Sequence, residues 1–102
     1  MLYMNILNVL KALSNDKRLK ILEWLKDPKK HFTSSACDVH KEGVCVGLIE
    51  KKVGLSQSTV SQYLLQLQQA ELITMERRGQ WTFCKLNKKF IKEFIVQLNK
   101  MV

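Results

Sequence analysis

The sequence predicts a mainly α-helical domain that carries one small β-hairpin, and three observations support this fold class. The segment Leu48–Leu72 has the pattern of two helices joined by a tight turn. The segment Ile73–Leu86 alternates apolar and polar residues around a short basic turn, which is the period of β-strands. Apolar residues recur at helical spacing near both ends of the chain. With 102 residues, the chain (residues 1–102) is expected to form one domain.

Two amphipathic helices are predicted before the central segment. The first covers Leu2–Leu13, and the second begins after a cap at Asn15 or Ser14 and continues to about Lys26. Pro28 is expected to end the second helix, because the residue before a proline avoids the α-helical conformation. The predicted inward-facing residues are Leu2, Ile6, Val9, Leu10 and Leu13 in the first helix, and Leu19, Leu22 and Leu25 in the second.

The helix pair within Leu48–Leu72 is interpreted as a helix-turn-helix. Gly54 is able to end the first helix in the left-handed conformation, and Ser56 follows where an N-cap belongs. The second helix, Ser56–Ala70, buries apolar residues on one side. Its other side has almost no charge, which is typical of a recognition helix that reads base edges in a major groove; an ordinary helical hairpin is the alternative. The residues on this side are Gln57, Ser58, Thr59, Ser61, Gln62 and Gln66.

The hairpin, at about residues 73–86, follows the recognition helix directly and therefore has the position of a wing. Its tip is basic, and Arg77, Arg78 and Gln80 are expected to reach the phosphate backbone or the adjoining minor groove. A hairpin tip that is only solvated would be the alternative.

A last helix is predicted from Lys88 to about Met101, with Asn87 as its cap. Its apolar stripe and that of the first helix exceed what one small core should need. We therefore expect the helices at about 2–13 and 88–101 to form the interface of a homodimer; the alternative is that both close the core of one chain. The stripe of the last helix consists of Phe90, Ile91, Phe94, Ile95, Leu98 and Met101.

Composition narrows the class of partner. Lys and Arg number 17 against 9 Asp and Glu, so the formal charge is +8 and the pI is near 9.6. This charge is typical of a polyanion binder, although a merely soluble basic protein would also carry it. No signal peptide or membrane span is predicted, so the protein is expected to be cytoplasmic and not membrane-bound. No phosphate loop, Ser-His-Asp set or pair of carboxylates indicates an enzyme.

Four segments resemble the ArsR/SmtB-type transcriptional repressors of bacteria: ALSNDKRLKIL (Ala12–Leu22), GVCVGLI (Gly43–Ile49), LSQSTVSQYLLQLQQAELI (Leu55–Ile73) and RRGQWTFCKLN (Arg77–Asn87). The resemblance extends from about Ile6 to Phe94. It implies a homodimeric winged helix-turn-helix protein that blocks a promoter and releases it when an inducer binds. By position, it places the family's DNA contacts on Gln57, Ser58, Thr59, Ser61 and Gln62, and the wing contacts on Arg77, Arg78 and Gln80.

The chain departs from this family at the recognition helix and at the sensor sites. Many members carry a histidine where this chain has Tyr63. The family's arsenic and cadmium sensors have a Cys-x-Cys pair where this chain reads Cys45-Val46-Gly47, and the last helix lacks the Asp and His of the family's zinc site.

The long segment Lys29–Gly43 has no clean period and is predicted to be a loop, which in a compact domain is often functional. Cys37 and His40 in this loop, together with Cys45, are candidate ligands of a thiophilic ion such as zinc, since thiolate and imidazole suit a tetrahedral site. Alternatively, Cys37 and Cys45 form a redox pair. A third interpretation leaves the cysteines without a sensing role.

The sequence therefore predicts a sequence-specific DNA-binding transcriptional regulator, a repressor released by an inducer. Its expected partners are double-stranded operator DNA and a second copy of itself. Two other functions stay open at this point: a winged-helix module for protein interaction, and a DNA-binding protein without sequence specificity.

Overall fold

The computed structural model describes residues 5–33 and 43–102, and these residues form six helices and one three-stranded antiparallel sheet. The mainly helical fold class with a small β-hairpin is confirmed. Strands β2 (Ile73–Arg78) and β3 (Trp81–Leu86) form the hairpin. The short strand β1 (Val44–Cys45) pairs with the free edge of β3, so the order is β1-β3-β2. The elements are α1 Ile6–Leu13, α2 Asp16–Lys26, α3 Pro28–His31, β1 Val44–Cys45, α4 Val46–Val53, α5 Gln57–Gln69, β2 Ile73–Arg78, β3 Trp81–Leu86 and α6 Lys88–Met101.

Asparagine side chains begin the first two helices. Oδ1 of Asn5 accepts the backbone N–H of Asn8 at 3.1 Å, so α1 begins at Ile6, later than the predicted start at Leu2; residues 1–4 lie outside the described part of the chain. Oδ1 of Asn15 accepts two backbone N–H groups at the start of α2, at 2.9 and 3.0 Å. Asn15 is therefore the cap of α2, as the sequence predicted.

Two leucines that were predicted to face inward are exposed. Leu19 has half of its side chain in solvent, because the buried face of α2 is formed by Ile21 and Leu25. Positions 19 and 21 lie on nearly opposite sides of a helix, since each residue turns the chain by about 100°. Leu10 is exposed as well, because α1 buries its neighbour Val9.

The predicted loop at Lys29–Gly43 begins later than expected. Pro28 ends α2 but also starts α3, a single helical turn, because proline fits the first position of a helix. Residues 34–42 lie outside the described part of the chain, and the chain is described again from Gly43. A Cβ at Gly43 would lie 2.9 Å from the carbonyl oxygen of Cys84, so glycine allows β1 to approach β3.

The core lies between the helices and one face of the sheet. Phe90 and Phe94 of α6 are buried in it, so part of the predicted stripe closes the chain's own core. None of the described helices combines the length and the apolar character that crossing a bilayer requires. The other buried apolar residues are Val9, Ala12, Ile21, Leu25, Phe32, Val44, Ile49, Val60, Leu64, Leu67, Ala70, Leu72, Ile73 and Cys84.

Candidate nucleic-acid interface

The turn between α4 and α5 has the chemistry that the sequence predicted. Gly54 ends α4 with a φ of +75°, and its N–H donates to the carbonyl of Glu50 at 3.1 Å. Oγ of Ser56 accepts the backbone N–H of Thr59 at 3.3 Å and lies 2.8 Å from the Thr59 hydroxyl. With these caps only three residues separate α4 from α5, and the predicted helix-turn-helix is confirmed.

The N-terminal half of α5 has a buried apolar face and an exposed polar face. Val60 and Leu64 are buried, whereas Gln57 and Gln62 are exposed. Ser58 and Ser61 are exposed beside them. Thr59 is half-buried, and its hydroxyl takes part in the Ser56 cap, so this predicted DNA contact also has a role inside the protein.

Arg18 of α2 contacts the C-terminal half of α5. Nη1 of Arg18 donates to Oε1 of Gln66 at 2.8 Å, and the guanidinium lies 5.5 Å from the centre of the Tyr63 ring. Gln66 is exposed, as expected, but its side chain is engaged within the protein. Tyr63 is half-buried and packs against the core, so the residue at the family's histidine position faces inward.

The strand pairing of the wing includes Arg78. β2 and β3 pair from Ile73 opposite Leu86 to Arg78 opposite Trp81, so Arg78 belongs to the strand and not to the turn. Nε of Arg77 donates to the carbonyl of Gly79 at 3.2 Å.

Arg78 is held by its own strand and by the neighbouring one. Its Nε lies 3.4 Å from the carboxylate of Glu76, and its guanidinium lies 4.2 Å from the centre of the Phe83 ring. Both wing arginines are therefore oriented by the hairpin itself.

A groove of about 410 Å³ separates the recognition helix α5 from the wing. Gln57 and Ser61 line one side, and Gln80 and Trp81 line the other. Three of the predicted contacts, Gln57, Ser61 and Gln80, thus line one concave surface, since the groove joins the exposed start of α5 to the hairpin tip. Cys45, Val46, Gly47, Glu50, Leu64, Met75 and Thr82 complete the lining.

Trp81 is a candidate that the sequence analysis missed. Its side chain is 53% exposed, although Trp81 occupies an apolar position in the alternating pattern of the strand. Trp81 pairs with Arg78 in the last rung of the hairpin, beyond the core, so its position in the alternation does not bury it.

The sequence comparisons agree with this geometry. The HTH-type transcriptional regulator YbzH of Bacillus subtilis is 46% identical over 89 residues, which are 86% of this chain and 89% of that protein. A protein of Halobacterium salinarum, ArsR2, named as an arsenical resistance operon repressor, is 36% identical over 77 residues, which are 76% of this chain and 55% of that protein. The chain belongs to the ArsR/SmtB-type transcriptional regulators. No family model matches the sequence.

Solved structures place this regulator in the same fold. The homodimeric winged helix-turn-helix DNA-binding domain of Mb0332 from Mycobacterium bovis superimposes with a TM-score of 0.65 at 24% identity, over 93% of this chain and 77% of that one. The sequence relatives confirm the resemblance inferred from the four segments, together with a function in DNA-binding transcription regulation.

The two described cysteines, Cys45 and Cys84, occupy different environments. Cys37 and His40 lie outside the described residues, so of the candidate metal and redox residues the structure describes Cys45. Cys45 is half-buried, forms the N-cap position of α4 and lines the groove. Burial raises the pKa of the Cys84 thiol to about 12, with a smaller contribution from Cys45, so Cys84 stays protonated at neutral pH. Within residues 5–33 and 43–102, no three His, Cys, Asp or Glu residues form a cluster that would hold a metal ion.

A lysine of α4, the first helix of the helix-turn-helix, contacts an aromatic pair. Trp24 and Phe32 meet edge to face, with their ring centres 6.2 Å apart. Nζ of Lys52, in the last turn of α4, lies 5.0 Å from the Trp24 ring centre and 5.9 Å from the Phe32 ring centre. This contact helps to fix α4, against which the recognition helix packs.

Proposed function

We propose that the protein is a homodimeric, sequence-specific repressor that acts in the cytoplasm, binds double-stranded operator DNA and leaves it when an inducer binds. The observation that carries the proposal is the groove between an uncharged hydrogen-bonding helix face and a hairpin that bears Arg77 and Arg78 outside the groove lining. The repressor role follows the name of the relative ArsR2. A formal charge of +8 supports a polyanionic partner.

The recognition helix is proposed to read the base sequence. Gln57 and Gln62 are exposed, and a glutamine amide is able to pair with both N6 and N7 of adenine in the major groove. Ser58, Ser61 and the partly buried Thr59 present hydroxyl groups suited to bases or phosphates. Because these groups carry no charge, their contribution depends on which bases they meet.

The wing is proposed to bind the DNA backbone. Arg77 and Arg78 bring positive charge to the hairpin, and Gln80 stands at its tip. Displacing counterions from phosphates favours binding to any duplex. Trp81 beside them presents an exposed indole, which suits an apolar contact with deoxyribose or a thymine methyl group.

Dimer formation is proposed to use a second apolar face on α1 and on α6. Leu7 of α1 and Ile95 of α6 are 59% and 57% exposed, although each helix also buries residues in the chain's own core. Val96 and Met101 add exposed apolar surface to α6. A second copy of the chain would cover these faces, and the Mb0332 domain with the same fold is homodimeric.

Selection from a randomised duplex library tests the DNA-binding proposal. After several rounds, the selected duplex and a random duplex of equal length are compared by fluorescence anisotropy at several salt concentrations. We expect the selected duplex to bind at least about 10³-fold more tightly at physiological salt. Binding without preference would identify a non-specific protein, and no binding even at low salt would favour a protein-interaction module.

Substitution at Ile95 tests the dimer. Ile95→Glu places a charge on the exposed apolar face of α6, and we expect a monomeric mass by light scattering at micromolar concentration, with the helical circular dichroism retained. Gln97→Glu adds the same charge to the same helix at an exposed polar position and should leave the dimer intact. Phe94 is unsuitable because it is buried in the chain's own core. A monomeric parent protein would contradict the proposal.

A further inference from the structure

We infer that Arg18 is a positioning residue that fixes the recognition helix α5 relative to α1, so that discrimination between operator and other DNA depends on it. The inference rests on the proposed function, because discrimination is its main readout. Arg18 belongs to α2, outside the groove between α5 and the wing, and contributes nothing to the lining of that groove among the residues described there.

Arg18 binds the C-terminal end of α1 with two of its donors. Nε donates to the carbonyl of Ala12 at 2.6 Å, and Nη2 donates to the carbonyl of Lys11 at 3.1 Å. Carbonyls in the last turn of a helix carry partial negative charge, so a cation is favoured there, and the Lys11 carbonyl also accepts the Ser14 N–H at 3.2 Å. These two bonds fix the plane of the guanidinium and direct its remaining donor toward α5.

The same guanidinium reaches the recognition helix. Nη1 donates to Oε1 of Gln66 at 2.8 Å, across 48 positions of sequence, and the Tyr63 ring lies 5.5 Å from the guanidinium carbon. Tyr63 and Gln66 are three residues apart and therefore neighbours on one side of α5. One rigid group thus connects the end of α1 with two residues of α5. A lysine would not reproduce this arrangement, because it has no planar fork of donors.

The surroundings make this bridge important for the position of α5. A cavity of about 280 Å³ lies between α1, α2 and α5, and its lining is largely polar. On the solvent side of this cavity the bonds of Arg18 join α5 to α1, while buried Leu67 and Ala70 pack the inner side of α5 into the core. The lining consists of Asn8, Lys11, Ala12, Arg18, Gln66, Gln69 and Ala70.

The placement of α5 at Gln66 affects base reading, because Gln62 lies one turn earlier on the same side of this helix. Hydrogen bonds weaken steeply with distance and angle, so a small tilt of α5 changes the contacts of Gln62 with a base edge. Contacts with phosphates tolerate such a tilt better, because they depend mainly on charge. Loss of the bridge should therefore reduce discrimination more than general affinity.

A double-mutant cycle tests the inference with the duplex selected in vitro and a random duplex as probes. Arg18→Lys keeps the charge and removes the fork, while Gln66→Ala removes the acceptor and leaves the bonds of Arg18 to α1 in place. We expect each variant to lower the ratio of the two affinities about tenfold, and the double variant to lower it no further than either single variant. Gln69→Ala, which removes a side chain lining the same cavity, should leave the ratio unchanged.

Multiplicative losses in the double variant would overturn the inference, because Gln66 would then act by touching DNA directly. An unchanged ratio in folded Arg18→Lys and Gln66→Ala, even with a lower Tm, would overturn it too, since Arg18 would then only add stability. If Arg18→Lys fails to fold, Gln66→Ala still decides through hydrogen exchange of the free protein. Faster exchange in the second half of α5 supports the bridge, and unchanged exchange contradicts it, because a direct contact with DNA would leave the free protein unchanged.

Hydrogen exchange of the free protein separates this inference from the proposed function. We expect Arg18→Lys to speed the exchange of backbone amides in the second half of α5, from Tyr63 to Gln69, and not of those in α6. If the parent protein shows no preference between duplexes, the proposed function fails, and this exchange experiment still decides whether Arg18 holds α5. Unchanged exchange in α5 would contradict the positioning role.

Discussion

The recognition helix and the wing face the same groove with different chemistry. The helix exposes neutral side chains such as Gln57 and Gln62, whereas the wing carries guanidinium groups that the hairpin itself orients. Neutral donors and acceptors stabilise a complex only when the bases opposite them match. Charges stabilise a complex with any duplex. The comparison therefore predicts that sequence readout and general affinity are separable between these two regions.

The largest effect is expected from removing both glutamines. Each bidentate pair with adenine is worth about 1–3 kcal/mol of discrimination, so Gln57→Ala with Gln62→Ala should remove most of the preference for the selected duplex. Affinity for random DNA should change little, because no charge is lost. Competition binding measures both quantities, and a double variant that keeps full discrimination would place the readout elsewhere.

The wing should give a smaller and uniform effect. Arg78→Ala should weaken binding to every duplex by a similar factor and reduce the slope of log affinity against log salt by about 1. Lys20→Ala removes the same charge from α2, where Lys20 pairs with Glu23 on the surface at 3.4 Å, and serves as the matched control. Equal effects of the two variants would mean that Arg78 acts only through net charge.

Thiol labelling shows whether DNA covers the groove between the two regions. In a Cys37→Ser variant, N-ethylmaleimide should label Cys45, which lines the groove, and leave the buried Cys84 unlabelled until denaturant is added. Because the thiolate is the reactive form and the pKa of Cys84 is raised to about 12, Cys84 should stay unlabelled from pH 7 to pH 9. Mass spectrometry counts the labels. The selected duplex should slow labelling of Cys45, and unchanged labelling would contradict DNA in the groove.

The smallest effect concerns the connection between the two regions. Glu71 has a φ of +64° where α5 ends, and Leu72 N–H closes the helix on the carbonyl of Leu67 at 3.0 Å. Left-handed backbone disfavours residues with a Cβ, so Glu71→Gly should raise the free energy of unfolding by about 1 kcal/mol. Urea denaturation measures it. Glu71→Ala keeps the Cβ and should give no gain; equal gains from both variants would show that the glutamate's charge, and not its backbone, was unfavourable.

The parts of the fold set by local chemistry were predictable from the sequence. Gly54 and Ser56 mark the turn before α5, and Val60, Leu64 and Leu67 mark its buried side, because helix ends and helix faces depend on residues close in sequence. The hairpin was recognisable for the same reason. The same periodicity misassigned Leu19, since both Leu19 and Ile21 are apolar and only packing decides which one is buried.

The contacts between distant segments could not be predicted. The bond from Arg18 to Gln66 joins residues 48 positions apart, and an arginine on an amphipathic helix usually indicates only a solvated face. The pairing of β1 with β3 depends on Gly43 passing close to Cys84, and the sequence shows no sign of it. The exposure of Trp81 follows from the hairpin extending beyond the core, which alternation alone does not reveal.

The structure shows that the apolar stripe of α6 has a buried part and an exposed part. Phe90 and Phe94 close the chain's own core, and Ile95 and Met101 are exposed. The interpretation that the stripe closes the chain's own core therefore holds for Phe90 and Phe94, and the dimer interface stays a prediction for the exposed part. A dimer test at Phe94 would have damaged the fold, and the structure directs the test to Ile95.

The most direct test of the division between helix and wing is a base-pair scan of the selected duplex. Each position is replaced in turn, and the affinity of every replacement is measured for the parent protein, Gln62→Ala and Arg78→Ala. Our account predicts that Gln62→Ala removes the preference at one base pair in each half-site, whereas Arg78→Ala lowers all affinities by one factor and keeps the pattern. A pattern that Arg78→Ala alters at a single base pair, or that Gln62→Ala lowers evenly, would contradict it.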